Sequence, residues 1–481
     1  MSKLKQKIRN GLKKDPEALL VSLTGRAADA GLVKASIGVV SELLSDEKNL
    51  TDERKKLSRR IGEARKQGQD PAELIAGVSL ISEKLKIIDT GIDEETARIA
   101  ENIAAGTGGE VEPGSSADIP PVPAHLLAAD KALDFDPAEL MLAHSDNIDV
   151  AEWQAFVDSK PNANVYHDAR WCALIKANFG HTPVYITCRK PDGELCGVFP
   201  TVHLNSKLFG SFLVSMPYFN YGGPLSDYPA VAQQMMEYAS ATGTTLECSH
   251  LEARDIQRRE PWLCKQHKVT MILPLPASDD VLDKQLGTKV RAQVNRAARE
   301  DLEFSTGGIE LLQDFYKVFS HNMRDLGTPV YSKRFFRSIL DNFDGQASLA
   351  VVRHRGRPVA AGFLLGYNDK LEIPWASSLR SANPLGANMF MYRQILRTAI
   401  EKKYQFFDFG RSSIGASTYK YKKQWGAIEH PLYWHYWLRD SDELPELNPN
   451  NPKYKLAINM WQKLPVAVAN IIGPQLVRNL P

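Results

Sequence analysis

The sequence predicts an α+β protein in which an N-terminal helical hairpin precedes a larger region of mixed helices and strands. Three observations lead to this prediction. Apolar residues recur at heptad spacing between residues 50 and 103, residues 106–123 are rich in Gly and Pro without periodicity, and hairpin and helix patterns alternate from about residue 147 onward. The length of 481 residues fits two or three domains.

The composition is that of a globular protein, because 43% of the residues are hydrophobic and 24% are charged. It excludes a chain disordered throughout and the collagen-like and disulfide-scaffold classes. The net charge of +2 hides separate blocks: residues 1–66 hold sixteen Lys and Arg against nine Asp and Glu, whereas residues 67–150 hold four against seventeen. Such blocks indicate local binding of a polyanion.

Several classes of site and segment have no support in the sequence. No stretch is apolar over the roughly 18 residues that a membrane span needs, and no apolar run follows the basic N-terminus, so we expect a cytoplasmic protein. The five cysteines form no CxxC pair, and the histidines lack carboxylates at ligand spacing, so we expect free thiols and no metal. No nucleophile motif indicates covalent catalysis.

Residues 1–105 are the first predicted domain. An apolar seam of about four heptads is interrupted by a turn at residues 67–71, which predicts two arms that fold back as an antiparallel coiled coil. Asp70 before Pro71 is a suitable N-cap for the second arm. The seam residues are Leu50, Leu57, Ile61 and Ala64, then Leu74, Val78, Ile81, Leu85, Ile88, Ile92, Ile99 and Ile103.

The first arm is basic and the second acidic, as in coiled coils whose solvated faces form cross-helix salt bridges. However, IRNGLKKDPEALLVSLTGRA and NLTDERKKLSRRIGEARKQGQDPAELIAGVSLISEKLKIID resemble the N-terminal arm of seryl-tRNA synthetases, most specifically at IGEARKQGQD. The resemblance covers almost all of residues 2–105 and implies tRNA binding, which a rigid basic rod achieves by neutralising phosphates. The expected tRNA-binding residues are Arg54, Lys55, Arg59, Arg60, Arg65 and Lys66.

A flexible and acidic linker, residues 106–146, leads into the mixed region. VYITCRKPDGELCGVFPTVHL predicts a β-hairpin that turns at Asp192-Gly193, and the segment around Arg355-Gly356 predicts a second set of hairpins. Helices fit AVAQQMMEYASATG, KVRAQVNRAARE, LLQDFYKVFSHNMRDLG and NMFMYRQILRTAIEKK. Because hairpins and helices recur in the two halves, we predict a duplicated α+β unit.

Four motifs in this region resemble the FemAB-like acyltransferases: MPYFNYGGPL, NMRDLGTPVYSKRFF, FFDFGRSS and TYKYKKQWGA. The subgroup associated with exosortase/PEP-CTERM systems is the most similar, and its ending also resembles the tail of this chain. The resemblance covers residues 147–481 and implies tandem GNAT-like lobes at 147–270 and 271–438, with a C-terminal tail at 439–481. It also implies transfer of an amino acid from aminoacyl-tRNA to an amine, with no further cofactor.

Transfer from an ester to an amine requires a docked donor, a polarised carbonyl and a deprotonated amine. The family has an aromatic–lysine pair near the reacting centre, and Tyr421 and Lys422 match it. If the Tyr-Lys run at residues 419–423 is a strand or loop, it places Lys420 and Lys422 on one face. We expect Lys422 to stabilise the carbonyl oxygen or a terminal tRNA phosphate, and Lys420 to bind substrate. A solvated basic edge strand is the alternative.

FFDFGRSS predicts a buried strand that ends at a Gly-containing turn. Asp408 and Arg411 are costly in this aromatic frame unless they are paired or employed. They form either a structural pair or a site in which Arg411 binds a phosphate or carboxylate of the substrate. Asp408 as a general base is the less favoured interpretation.

Two further groups of substrate-binding residues are expected. KVRAQVNRAARE predicts an amphipathic helix whose polar face is either an ordinary solvated surface or a phosphate-binding one. The residues before Gly222-Gly223 are expected to line the cleft on the side of the first lobe. These candidates are Lys289, Arg296 and Arg299 on the helix and Tyr218, Asn220 and Tyr221 before the glycines.

The leading hypothesis is a tRNA-dependent aminoacyltransferase whose partners are tRNA, plausibly a serine tRNA, and an amine-bearing acceptor, with no DNA. The second is an acyl-CoA-dependent N-acyltransferase on a sugar nucleotide or polysaccharide precursor, although neither Arg411–Ala416 nor Arg353–Pro358 fits the pyrophosphate loop of acetyl-CoA enzymes. The third is a non-catalytic tRNA-binding protein. The apolar tail is expected either to pack on the second lobe or to contact a membrane surface.

Overall fold

The computed structural model describes residues 30–67, 122–127, 130–206, 210–440, 444 and 458–479, and single positions at residues 8, 12, 19, 23, 74, 78, 81, 82, 85, 88, 92, 95, 96 and 99. The chain separates into two compact units, Met1–Ile119 and Pro120–Pro481. The division falls within the predicted linker. Among the described residues, no helix is both long and apolar enough to cross a bilayer.

The N-terminal unit contains the long helix α1, Ala30–Lys66. Its seam residue Ala64 is buried, and the four basic residues Arg54, Lys55, Arg59 and Arg60 are exposed. The described positions between residues 74 and 99 are also helical. Residues 68–71 of the turn, most of the second arm and the side chains of Arg65 and Lys66 lie outside the described residues, so the hairpin stays a prediction.

One apolar cluster joins α1 to residues distant in sequence. Its buried members are Ile8, Leu19, Leu23, Val33, Ile37, Val40, Ile88, Ile92 and Ile99. The later predicted seam positions therefore contribute to the same core as the start of α1, which gives the N-terminal unit a hydrophobic core of its own.

The second unit is built on one sheet. Its strands are Met141–Ser145 (β1), Thr182–Arg189 (β2), Leu195–Ser206 (β3), Gly210–Val214 (β4), His250–Asp255 (β5), Leu263–Pro274 (β6), Leu302–Gly307 (β7), Ala347–His354 (β8), Arg357–Tyr367 (β9), Lys370–Ser378 (β10), Phe406–Ser413 (β11) and Ile428–Leu438 (β12). Within the described residues the sheet has twelve strands, in the order β1-β2-β3-β4-β5-β12-β6-β11-β10-β9-β8-β7.

Helices cover this sheet. They are Val150–Asp158 (α2), Arg170–Phe179 (α3), Pro229–Thr245 (α4), Asp279–Gln285 (α5), Thr288–Ala297 (α6), Leu312–Leu326 (α7), Lys333–Asn342 (α8), Ala387–Glu401 (α9), Ser417–Lys423 (α10) and Val466–Val477 (α11). All four helices predicted from apolar periodicity are present, as α4, α6, α7 and α9. On α6, the predicted apolar stripe of Val290, Val294 and Ala297 is buried.

The two predicted hairpin turns are confirmed. β2 and β3 pair antiparallel across Asp192-Gly193, and β8 and β9 pair across Arg355-Gly356. Gly193 has a φ of +91°, and both residues of the second turn have positive φ. Glycine adopts this conformation without the steric cost that a side chain adds, so the local sequence determines where the chain reverses.

The duplicated unit is visible in the order of elements. The first half runs β1-α2-α3-β2-β3-β4-α4-β5, and the second runs β7-α7-α8-β8-β9-β10-α9-β11. In each half a helix connects two parallel strands, β4 to β5 and β10 to β11.

The predicted boundary between residues 270 and 271 requires correction, because it falls inside β6. β12, which follows the second half in the chain, pairs antiparallel with both β5 and β6. The two halves therefore share a continuous hydrogen-bonded sheet instead of forming separate sheets.

The strand interpretation of the Tyr-Lys run is wrong, because these residues form helix α10. Residues two apart on a helix differ by about 200° in direction, so they do not share a face. Accordingly, Lys422 is buried and Lys420 is exposed.

Candidate active site

The candidate site lies where two parallel strands separate. β10 and β11 pair only through Lys370–Phe406, Leu371–Phe407 and Glu372–Asp408. Beyond that point β10 contains Pro374, which has no N–H to donate, and both strands change register against their other neighbours. The gap lies beyond the carboxyl ends of paired parallel strands, where ligands commonly bind in α/β proteins.

A cavity of about 400 Å³ occupies this gap. Its aromatic walls are formed by Tyr166, Tyr218, Phe219, Tyr331, Trp375, Tyr392 and Phe409. Its polar lining includes Asn220, Arg411, Thr418 and Lys422. Four of the predicted site residues, Tyr218, Asn220, Arg411 and Lys422, therefore meet in one cavity.

Lys422 reaches the cavity from α10. Its Nζ donates to the carbonyl oxygens of Gly410 at 2.9 Å and Arg411 at 2.8 Å. Burial disfavours the ammonium and lowers the pKa of Lys422 to about 8, although the charge of Asp408 opposes this shift. An ammonium has three N–H donors, so these two bonds leave one for a ligand.

Asp408 lies behind the cavity and is fully buried. Its Oδ1 accepts from the Thr270 hydroxyl and from the Gly410 backbone N–H, each at 2.7 Å, and its Oδ2 accepts from Tyr221 at 2.8 Å. Burial alone would raise the pKa of Asp408, but Lys370 and these hydrogen bonds lower it overall. The carboxylate therefore fixes the backbone at Gly410, whose φ is +73°, and is not part of the cavity lining.

A buried cluster surrounds Lys370, the first residue of β10. Its Nζ lies 3.3 Å from Glu372 Oε2 and 3.3 Å from Asp408 Oδ2, and it also donates to the Tyr221 hydroxyl. Tyr166 donates to Glu372 Oε1 at 2.7 Å. Two carboxylates and one ammonium thus share a site with two tyrosine hydroxyls.

The two carboxylates differ in the direction of their pKa shifts. Burial raises the pKa of Glu372, and the nearby charge of Asp408 raises it further, whereas Asp408 is shifted downward. Like charges this close cannot both ionise without cost, so Glu372 binds a proton more readily than Asp408 does.

Arg411 points into the cavity and does not pair with Asp408, which corrects one predicted alternative. Its guanidinium lies over the Trp434 ring at 5.5 Å. The protein around it, together with the charge of Arg254, lowers the pKa of Arg411, but an arginine stays cationic. Within the described part of the chain, neither Arg411 nor Lys422 makes an ion pair with a carboxylate.

The remaining predicted residues lie elsewhere. Tyr221 is buried in the Lys370 cluster, and Lys289, Arg299 and Lys420 are exposed away from the cavity lining. Tyr421 and Arg296 line a neighbouring pocket of about 280 Å³ at the start of α9.

This second pocket adjoins the cavity. Tyr392 of the cavity wall and Tyr421 of the second pocket have ring centroids 5.7 Å apart. The two spaces therefore lie close together.

The residues that sequence reasoning missed are Lys370, Glu372, Thr270, Tyr166 and His125. A signal existed in KLEIPW, where Lys370 and Glu372 alternate with apolar residues in a strand pattern and so share a face. That pattern does not show which residues of other strands contact Lys370 and Glu372. His125, whose Nε2 is 3.4 Å from Lys370 Nζ, precedes the first lobe and carries no local signal.

Comparisons with known proteins place a family match over this site. Residues 285–423 match the acetyltransferase (GNAT) domain, a range that contains Asp408, Arg411 and Lys422. This region is thus a GNAT-type domain, which supports an acyltransferase. No curated protein matches the chain.

Several solved structures are similar to the chain at low identity. FemX is 14% identical over 66% of this chain and 100% of that chain, with a TM-score of 0.47. L-PGS from Bacillus licheniformis is 14% identical over 66% of this chain and 98% of that chain, with a TM-score of 0.42. A GCN5-related N-acetyltransferase from Sphaerobacter thermophilus is 12% identical over 64% and 98%, with a TM-score of 0.38.

We expect the side-chain amine of Lys422 to titrate at about pH 8, so that it is mostly cationic at neutral pH and loses its charge as the pH rises. The midpoint is measured from ¹³Cε NMR shifts of lysine-labelled protein, with the resonance assigned by its loss in Lys422→Met. Asp408→Asn should lower the midpoint further, because the carboxylate favours the cation.

The matched control is Lys420→Met, which removes an exposed lysine of the same helix and should leave the midpoint unchanged. A midpoint for Lys422 near the ordinary lysine value of about 10.4 would contradict this description of the site.

Proposed function

We propose that this protein is an acyltransferase that takes an aminoacyl group from aminoacyl-tRNA and joins it to an amine of a cell-envelope, exopolysaccharide or small-molecule acceptor. The observation that carries the proposal is a pair of cations, Arg411 and Lys422, in an aromatic cavity of the GNAT-matching region. Neither cation has a carboxylate partner among the described residues. Such a cavity suits a donor that carries both negative charge and a planar base.

The cavity lining agrees with the chemistry of a single-stranded nucleotide end. Aromatic side chains such as Tyr331, Trp375 and Tyr392 line it, and bases of single-stranded RNA are commonly bound by stacking on such rings. Arg411 is suited to a phosphate, because its guanidinium forms charge-assisted, paired hydrogen bonds.

In the proposed reaction the amine nitrogen of the acceptor attacks the ester carbonyl of the donor. The new C–N bond forms, the C–O bond to the terminal ribose breaks, and the proton lost by the amine balances the proton taken up by the ribose oxygen. Lys422 would stabilise the developing oxyanion through its third N–H, an effect that is worth most in a partly dry site. No residue is required as a dedicated base.

The N-terminal unit is proposed to capture the body of the tRNA. Arg54, Lys55, Arg59 and Arg60 are exposed along α1, which suits contact with successive phosphates. The resemblance of residues 2–105 to the seryl-tRNA synthetase arm makes serine tRNA the first donor to test.

An acyl-CoA donor is the second candidate, and one observation favours it. The neighbouring pocket lies at the first turn of α9, a 15-residue helix, and is lined by Arg296, Asn388 and Tyr421. Backbone N–H groups at a helix start bind phosphate well, as the pyrophosphate of coenzyme A requires. The same groups suit a phosphate of the tRNA acceptor stem, so the donor must be tested directly.

We expect tRNA to co-purify with the full chain at low salt, with serine tRNAs enriched when the bound RNA is sequenced. The triple variant Arg54→Glu, Arg59→Glu, Arg60→Glu should lose most of this RNA, because it reverses three exposed phosphate-binding charges. A variant with Lys317, Arg334 and Arg337 changed to Glu makes the same charge change at exposed positions of the second unit and should retain it. Absence of bound RNA from the unaltered protein, with no binding of added charged tRNA, would exclude the tRNA donor.

We expect the full chain to accelerate transfer from seryl-tRNA to hydroxylamine, a small generic amine, more than transfer from acetyl-CoA. Arg411→Ala should raise the KM for the donor by about 10- to 100-fold, as loss of a charge-assisted hydrogen bond predicts, and Arg411→Lys should recover part of it. Lys422→Ala should lower kcat while leaving tRNA binding intact. Preference for the acyl-CoA donor would support the second candidate, and activity unchanged in both variants would contradict the assignment of the site.

A further inference from the structure

The C-terminal helix α11 presents large aliphatic side chains to solvent. Val468, Ile471 and Ile472 are 37%, 74% and 40% exposed, and Met460 just before the helix is 64% exposed. Ile471 and Ile472 follow Val468 by three and four residues, so they lie on the same side of the helix as Val468. These four residues are called the C-terminal apolar stripe.

The opposite side of α11 is formed by small residues and holds the helix in place. Ala469, Gly473 and Val477 are buried, and Gly473 lies so close to Val330 that a Cβ atom at this position would contact its backbone N at 2.8 Å. The carbonyl of Leu464 accepts a hydrogen bond from Arg324 at 2.8 Å. An ordinary surface helix buries its larger apolar residues, and α11 does the reverse.

The charged residues of the C-terminal segment itself have one sign. Residues 451–481 contain four Lys and Arg and no Asp or Glu. Lys463 and Arg478 stand at the two ends of α11, and both are exposed. A charge-free apolar stripe with a cation at each end is complementary to a bilayer with anionic headgroups, because the long basic side chains reach the headgroups while the aliphatic ones enter the acyl region.

The composition of the stripe favours lipid over a protein partner. Protein interfaces concentrate their binding energy in Trp, Tyr and Arg, whereas the stripe holds only Met, Val and Ile. With 12 residues, α11 is about 18 Å long, too short to cross a hydrocarbon core of about 30 Å.

The stripe lies on an element that contacts the wall of the cavity. The Tyr218 hydroxyl donates to the carbonyl of Arg478 at 3.1 Å, and Tyr218 lines the cavity. Val330, which packs on Gly473, directly precedes Tyr331 of the same wall. A surface that bound here would therefore lie beside the candidate site.

We propose that the C-terminal apolar stripe binds the surface of a lipid bilayer that contains anionic headgroups, with α11 lying in the interface plane. This surface contact is independent of the donor in the proposed function. Its failure would leave the transferase assignment unaffected, and failure of transfer would leave the membrane contact unaffected.

The test is co-sedimentation of the full chain with sucrose-loaded vesicles of phosphatidylcholine and phosphatidylglycerol in a 7:3 ratio. We expect the unaltered protein to bind and the double variant Ile471→Asp, Ile472→Asp to bind at least about tenfold more weakly. Ile309→Asp changes an isolated exposed isoleucine, 41% exposed, and is the matched control. All three isoleucines are solvent-accessible, so we expect the thermal unfolding of both variants to be unchanged, which would show that they fold.

Lys463→Glu and raised salt should weaken binding to these vesicles, and vesicles of phosphatidylcholine alone should bind less protein, because the headgroup attraction is electrostatic. Binding that the double variant retains in full would overturn the proposal. So would absence of vesicle binding together with a dimer that the double variant dissociates, because the stripe would then belong to an interface between two copies of the chain.

Discussion

The ion pairs of Lys370 with Glu372 and Asp408 are the interaction on which the candidate site depends. Charges removed from water are costly unless they are paired and hydrogen-bonded, and here two tyrosine hydroxyls and Thr270 complete the set. Lys370 belongs to the first pair of residues in the ladder between β10 and β11, and Glu372 and Asp408 form the last pair. The cluster therefore stabilises the whole paired segment, and the cavity opens immediately beyond it.

The cluster reaches the cavity through the backbone of β11. Asp408 accepts from the N–H of Gly410, and the carbonyl of Gly410 accepts from Lys422. The left-handed conformation of Gly410 suits a residue without a side chain and accompanies the register shift that separates Asp408 from Arg411. A buried carboxylate thus positions a lysine in the cavity wall without itself being part of the cavity lining.

The sequence predicted those parts of the fold that depend on neighbouring residues. The turns at Gly193 and Gly356 follow from local conformation, and helices α4, α6, α7 and α9 follow from apolar periodicity. A strand was predicted where α10 lies, because Tyr and Lys alternate there as polar and apolar residues do in a strand. The helix buries Lys422 through tertiary contacts, which local sequence does not show.

The Lys370 cluster could not be predicted in the same way. Lys370 and Asp408 are 38 residues apart and Tyr221 is 149 residues from Lys370, so only strand order brings them together. The sequence did identify Arg411 and Lys422, through a resemblance between motifs, but the structure was needed to separate Arg411 from Asp408. The sequence likewise does not show which apolar side of α11 is exposed, because this depends on which side packs on the loop at Val330.

The central claim is that the 3′ end of a tRNA enters the cavity beside Lys422. Periodate-oxidised tRNA carries a terminal dialdehyde that forms a Schiff base with a neutral amine in reach, and borohydride reduction makes the bond permanent. Because the pKa of Lys422 is lowered to about 8, this account predicts that peptide mapping of the full chain finds the adduct mainly at Lys422. Adducts spread over exposed lysines such as Lys420 and Lys289, with Lys422 unmodified, would contradict it.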